Sequence, residues 1–318
     1  MKIGILEQGK RSKNENSLTT VEDIIEYALQ ADELGFSRFW LTEHHYSFVS
    51  HSYTNPDILI SIIAGMTEQI SVGSAGVLVN LYSPFSVISN YKLMNNLFHD
   101  RIDLGLANSL TDIPYVNKMC SQATEDVHFS EIFKKNVTEM SALIHNEEKY
   151  FSDEGVVIPP FKGVKPNLWY LATSYKSTEF VIKNKLNLCR SIFHNRGQKL
   201  DTINYDKDHL LKFKSDFKER NGFHPKISLS LAFYMSVSLS QSRSVVENMS
   251  VTEAGINQSP YVVIPTTPTH FYDLLYDYKD KFGIEEFILY DLGRDNQKKI
   301  ENLQITSEMF NLKSVVMS

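Results

Sequence analysis

Two hydrophobic rhythms alternate from one end of the chain to the other. Short apolar runs at residues 3–6, 36–41, 70–75, 101–107, 168–172, 188–193, 227–237 and 286–290 have the length and the β-branched or aromatic content of buried strands. Between them, apolar residues fall at helical spacing. Val21, Ile24, Ile25, Ala28, Leu29 and Leu34 do so before Gly35, and Val87, Ile88, Tyr91, Met94 and Leu97 do so after Pro84. Phe271, Leu274, Leu275, Tyr278 and Phe282 follow the same rule between Pro268 and Gly283. Thr267-Pro268 is a strong helix start, because threonine caps and proline fits the first turn. Thr19 or Thr20 is the expected cap of the first helix. Further helices are expected at residues 57–66, 129–145 and 205–220 and around 300–310.

The segments that break these rhythms are polar. Residues 108–126 and 150–166 read as long excursions, and 240–265 as a mobile loop or a short helix. A helix, a glycine stop and a buried strand recur at 33–41 and again at 281–289. Eight strand candidates alternating with helices, without a conspicuous linker, favour a closed (β/α)8 TIM barrel over an open sheet. The expectation is one α/β domain over residues 1–318, with insertions after barrel strands.

Composition narrows the class. With 42% hydrophobic and 22% charged residues the chain can build a sizeable core. A net charge of -6 argues against a nucleic-acid or anionic-membrane partner. No apolar stretch reaches the roughly eighteen residues of a membrane span, and the first residues lack a signal peptide's architecture, so a cytoplasmic location is the default. Cys120 and Cys189 make no disulfide framework and no metal spacing.

Chemistry concentrates where the 36–41 run stops, at Thr42-Glu43-His44-His45-Tyr46. A carboxylate, two imidazoles and a phenol at the carboxyl end of a parallel strand are placed where such folds build active sites. Three readings are open: a catalytic histidine, a metal site, or ordinary polar residues beginning a loop. His44, His45 and His51 match no established ligand motif, so no metal is expected. Trp40, Phe39 and Tyr290 are expected to pack inside the barrel, and Tyr46, Tyr115 and Tyr175 to line loops. Lys134-Lys135 and Lys298-Lys299 read as solvated helix faces.

Several stretches, in order, resemble the bacterial luciferase-like flavin-dependent monooxygenase family: Trp40-Leu41-Thr42-Glu43-His44-His45, Asn55-Pro56, residues 67–77, Ser83-Pro84-Phe85 and residues 100–106. The match is best over 1–110 and weakest over 111–165 and 238–265. The resemblance implies a flavin at the carboxyl ends of the strands, with reduced FMN as cosubstrate activating dioxygen against a small-molecule or peptide-derived substrate. It implies a proton-exchanging or oxygen-steadying role for His44, with Glu43 beside it as orienting partner and His45 as a supporting residue. Ala75-Gly76 matches a pair whose cis peptide supports the flavin ring; the alternative is a tight packing position. Ser174 and Ser177 match polar positions beside the flavin phosphate, with helix capping as the alternative, and Leu110 contributes through its backbone. Asn108 stands where the family commonly places a phosphate-binding arginine, and asparagine lacks the guanidinium's charge and fork.

Two other functions stay open on the same resemblance. One is an F420- or FMN-dependent reductase of an activated double bond. The other is a noncatalytic flavoprotein or companion subunit, because some chains of the family lack a competent flavin site and Asn108 gives that reading weight; family members are often dimeric. A homodimer or related-chain heterodimer would use the helices near 57–66 and 85–97. The absence of a G-x-G-x-x-G nicotinamide fingerprint points to a separate flavin reductase.

Overall fold

The computed structural model describes residues 1–11, 14–45, 51–108, 115, 118, 129–194, 207–252 and 261–313. Each of the eight apolar runs is a strand. They are β1 (Lys2–Glu7), β2 (Arg38–Leu41), β3 (Ser71–Leu78), β4 (Ile102–Ala107), β5 (Asn167–Ala172), β6 (Asn187–Ser191), β7 (Ile227–Met235) and, after an intervening short strand β8 (Val263–Thr266), β9 (Glu286–Asp291). Every ladder is parallel, and the order β1-β2-β3-β4-β5-β6-β7-β9 returns to β1, so the sheet closes on itself. The chain is a (β/α)8 TIM barrel. β8 lies outside the ring and pairs with the last residues of β7, from Ala232 to Met235.

The helices are α1 (Ser17–Glu33), α2 (Asp57–Met66), α3 (Pro84–Leu97), α4 (Phe129–His145), α5 (Glu147–Glu154), α6 (Thr178–Lys183), α7 (Lys207–Asn221), α8 (Leu239–Thr252), α9 (Pro268–Phe282) and α10 (Asn296–Phe310). α9 starts as its sequence requires: Thr267 accepts a hydrogen bond from the His270 amide at 3.4 Å, and Gly283 stops the helix with φ of 58°. The cap of α1 is Asn16 rather than Thr19 or Thr20, because its Oδ1 reaches the Leu18 amide at 2.8 Å. α5, α8 and β8 fall in segments whose polar sequences gave no usable period.

Period-two alternation divides the strands between two cores. Leu6, Trp40, Trp169, Cys189, Ile288 and Tyr290 fill the lumen. Ile3, Ile5, Phe39, Leu41, Val72 and Leu104 face the helices. Phe39 thus packs outside the barrel, edge-on to Tyr27 of α1 at 5.7 Å, and not inside it. Tyr175 is buried in the same outer core.

The lumen is closed at its amino end by charge. Arg38 opens β2 and its guanidinium bonds both Asp103 of β4 and, at 2.7 Å, Glu286 of β9. The indole N–H groups of Trp40 and Trp169 each donate to Asp103 at 3.1 Å, and the guanidinium lies 4.7 Å from the Trp169 ring centre. Burial alone would lower the arginine's pKa, but the two carboxylates outweigh it and raise it.

Candidate active site

At the opposite end, β2 delivers Thr42, Glu43, His44 and His45. Glu43 is buried, and protein groups surround its carboxylate. The Leu78 amide donates to Oε2 at 3.0 Å, the Tyr82 hydroxyl donates to Oε1, and His45 Nε2 lies 2.8 Å from the same oxygen. Asn55 donates in turn to Tyr82 at 3.2 Å, and its Oδ1 accepts from the Asp57 amide at 2.8 Å, fixing the start of α2. Glu43 therefore clasps the loop after β3, and the histidine it orients is His45. The expected Glu43–His44 pairing is absent, since neighbouring residues at a strand end leave in opposite directions while i and i+2 share a side.

His44 takes the other direction. Its amide donates to the Thr54 carbonyl at 3.3 Å, and its ring centre lies 5.3 Å from that of His51. Burial is the main reason its pKa falls to about 3, helped by repulsion between its charged form and nearby His51, Lys10 and His194. His51 is lowered to about 4, chiefly by burial and then by Lys10, with Glu7 opposing. Both imidazoles are neutral at physiological pH, and His44 titrates well below the neutral range expected of it.

The loops around these rings are tied together. Lys10 and His51 form an isolated antiparallel bridge, and Ser52 donates to the Gly9 carbonyl through its amide at 2.9 Å. The Lys10 ammonium stands 5.3 Å from the Tyr261 ring centre, and the Tyr261 hydroxyl donates to Gln8 at 3.2 Å. Tyr261 meets Phe193 edge-on at 5.4 Å and Tyr290 at 6.0 Å, completing an aromatic wall above the lumen.

On the neighbouring strand the Ala75–Gly76 peptide is cis. Ala75 packs against the lumen cluster. Gly76 faces β4, where an added Cβ would stand 2.6 Å from the Gly105 carbonyl carbon and oxygen. Gly105 is itself pressed to 2.2 Å from the Ser74 carbonyl by the same measure. Close packing of β3 on β4 therefore demands glycine at 76 whatever else the pair does.

Asn108 is exposed just beyond β4, and Leu110 lies outside the described residues, as does Tyr46. Ser174 and Ser177 are both half-buried after β5. Ser174 caps the short 3-10 turn Tyr175–Ser177 by accepting from the Lys176 amide at 3.4 Å, whereas Ser177 precedes α6 without capping it through its side chain. Sequence reasoning missed Asn80, two residues past β3. It is wholly buried, and neither its carboxamide nitrogen nor its oxygen has a hydrogen-bond partner. Leaving such a group unpaired costs roughly 1–3 kcal/mol. Nothing in the run Val79-Asn80-Leu81 signals that burial in advance. Among the described residues, no three His, Cys, Asp or Glu side chains gather as a metal-ligand set.

The family model described as luciferase-like monooxygenase matches residues 1–188. The chain belongs to that family. It is 32% identical over 183 residues to the uncharacterized protein YceB of Bacillus subtilis (strain 168), covering 55% of this chain and 52% of that protein. It is 30% identical over 109 residues to N-acetyl-S-alkylcysteine monooxygenase of the same organism, covering 34% and 32%. The chain thus spans about half or less of the length of these curated relatives. Among solved structures, apo-MsnO8 superposes with a TM-score of 0.79 at 22% identity over 98% of both chains. The FMN complex of the oxygenating constituent of 3,6-diketocamphane monooxygenase of Pseudomonas putida gives 0.72 at 15% identity over 97% of both. An F420-dependent secondary alcohol dehydrogenase gives 0.70 at 11% over 98% of both. These likenesses establish a common fold.

Proposed function

We propose that this luciferase-like chain, as one domain over residues 1–318, is a cytoplasmic monooxygenase acting with reduced FMN and dioxygen on a small organic molecule. The observation that carries the reading is the adjacency of two strand ends. β2 and β3 pair through Leu41 and Ser74, so His44, held neutral by burial, and Ala75, facing the lumen, leave neighbouring positions of the mouth. Bound reduced flavin would supply the electrons and activate dioxygen. The chain's own part is to seat it: Ala75 and Gly76 would support the ring, and Ser174, Ser177, Asn108 and the Leu110 backbone would hold the phosphate. His44 would hold or pass a proton at Nε2 as a neutral imidazole, and Phe193, Tyr261 and Tyr290 would keep water from the reacting centre. Glu43 would support the site through His45 and Tyr82.

Asn108 in place of an arginine favours one alternative, a reductase using F420. Titration with FMN and F420, oxidised and reduced, followed by turnover with and without dioxygen, separates the two. Oxygen incorporation strictly dependent on dioxygen supports the monooxygenase; anaerobic turnover with F420 would replace it. With no G-x-G-x-x-G fingerprint in the sequence, a separate reductase would supply the reduced flavin, and the relative named for N-acetyl-S-alkylcysteine supports a small-molecule or peptide-derived substrate.

A dimer is part of the proposal. α2 exposes Ile58, Ile62 and Met66 at four-residue spacing, and neighbouring α3 exposes Phe85, Leu93 and Leu97. A second copy or a related chain would cover this face. Ile62→Lys is expected to convert a sedimenting dimer to monomer; a wild-type monomer at all concentrations would remove this element.

A further inference from the structure

Resting on the reading of His44 as the proton-handling group, we infer that His51 is its positioning residue, brought against the His44 ring by a backbone strap that Glu7 and Lys299 anchor. The strap is residues 51–54, between β2 and α2. It returns over the strand it left, since the Thr54 carbonyl accepts from the His44 amide at 3.3 Å. Its other side lies on the loop after β1. Lys10 and His51 pair as an antiparallel bridge. Ser52 donates to the Gly9 carbonyl through its amide at 2.9 Å and its hydroxyl at 3.1 Å. The His51 ring centre then stands 5.3 Å from that of His44, with 59° between the planes.

The loop that carries the strap is fixed in its turn. Glu7 ends β1 and is 3% exposed. One of its carboxylate oxygens accepts from the Gly9 amide at 2.8 Å, and the other accepts from the Lys299 ammonium of α10, also at 2.8 Å. A largely buried ion pair adds little net stability over an apolar pair of the same volume; what it supplies here is a fixed arrangement. Gly9 tightens the seat. Its φ is 69°, and a Cβ there would come within 2.4 Å of the Tyr53 ring, which packs against the outer core. From Lys299 to the His44 ring, every link is a hydrogen bond, a bridge or a ring contact.

The strap is held by backbone groups and Ser52, so its course does not depend on which side chain stands at 51. The histidine there matters to its neighbour instead. It limits the rotation of the His44 ring and, being neutral at physiological pH, adds no charge beside it. The other charged or titratable groups facing the two rings are Lys10, Glu7, His45 and His194.

The test reads His44 in the cofactor-free chain, with the histidine rings labelled with nitrogen-15. In wild type the His44 ring is expected to give the two separate nitrogen shifts of a single tautomer at neutral pH. His51→Ala is expected to draw those shifts together towards the tautomer average. His51→Gln, which refills the space with a neutral polar group, should restore them in part and serves if the alanine variant does not fold. Glu7→Gln should produce the same change with His51 in place. Adding it to His51→Ala should do nothing more, because Glu7 acts through residue 51. In turnover with reduced FMN and dioxygen, His51→Ala is expected to lower kcat about tenfold with KM unmoved. His44 shifts that stay separate in His51→Ala or His51→Gln, or independent effects of Glu7 and His51, overturn the assignment whatever the cofactor. Shifts that merge while turnover is unaltered uphold the positioning and remove the reading of His44 on which it rests.

Discussion

At the amino end of the barrel, Arg38, Asp103, Glu286 and two tryptophan N–H groups satisfy one another within a few ångströms and away from water. At the carboxyl end, two partly buried histidines are neutral and Asn80 keeps both ends of its carboxamide unpaired. The same strands serve both. The difference lies in what each end still has to give: a network whose valences are filled stabilises or fixes register, while the unfilled ones of Asn80 carry a cost. Glu43 marks the line between them. It sits in the mouth, yet it is consumed by Leu78, Tyr82 and His45 and so belongs with the scaffold.

Breaking the floor should cost the fold. Asp103→Ala leaves a buried guanidinium with one counter-charge fewer and two indoles without an acceptor, and a loss of about 3–5 kcal/mol of unfolding free energy is expected in denaturant melts. A change under about 1 kcal/mol would mean that water already reaches this network. Changing the mouth should cost activity instead. His44→Asn is expected to lower turnover with reduced flavin about a hundredfold, or roughly 2.7 kcal/mol in the barrier, with a smaller effect on melting than the floor variant. Equal damage to folding and turnover would make His44 structural. Gly76→Ala tests a residue that belongs to both the packing and the site. Its Cβ would strike β4 backbone, which cannot swing aside like a side chain, so a loss of about 1–3 kcal/mol is expected. Flavin affinity measured on the folded fraction then tells whether the position also touches the ring.

The barrel was legible because its strands are buried on both faces, which writes them as apolar runs, and because Gly35, Pro268 and Gly283 punctuate them. α8 and β8 were not, since Ser240–Ser244 and the residues around them carry too few apolar positions to set a period. The site was half legible. Residues 42–45 and Ala75-Gly76 could be found from motifs in order, but orientation could not: which histidine Glu43 meets depends on the twist at a strand end. Long-range pairing was also invisible. Lys299 reads as a solvated helix residue, yet it reaches Glu7 at 2.8 Å and lies over Tyr27. Arg38 looks like an ordinary strand charge until register puts Asp103 and Glu286 beside it.

The smallest expected effect is a slope against pH, and its sign separates the histidines from Asp291. His44 and His51 have folded pKa values of about 3 and 4 against the ordinary histidine value of 6.5, in each case mainly through burial. Below pH 6.5 the unfolded chain takes up protons that the folded mouth refuses, so stability is full above 6.5 and is lost as pH falls towards 4. His145 on α4, lowered to about 4 by burial and nearby lysines, adds to the same trend. Asp291, raised to about 6 mainly by burial, works the other way: its folded carboxyl binds a proton that the unfolded one releases, so its contribution falls as pH rises from 3.8 to 6. Asp23 and Asp57, also raised mainly by burial, work in the direction of Asp291, while each histidine contributes a loss on acidification of less than about 1.4 kcal/mol per pH unit, because all three are only partly buried. Arg38 adds no slope in this window, because its pKa is raised further from it. Melts from about pH 7 to about pH 5 should therefore flatten in the His44→Gln/His51→Gln double variant and steepen in Asp291→Asn. A wild-type slope that survives the double variant would move the acid sensitivity out of the mouth and onto His145.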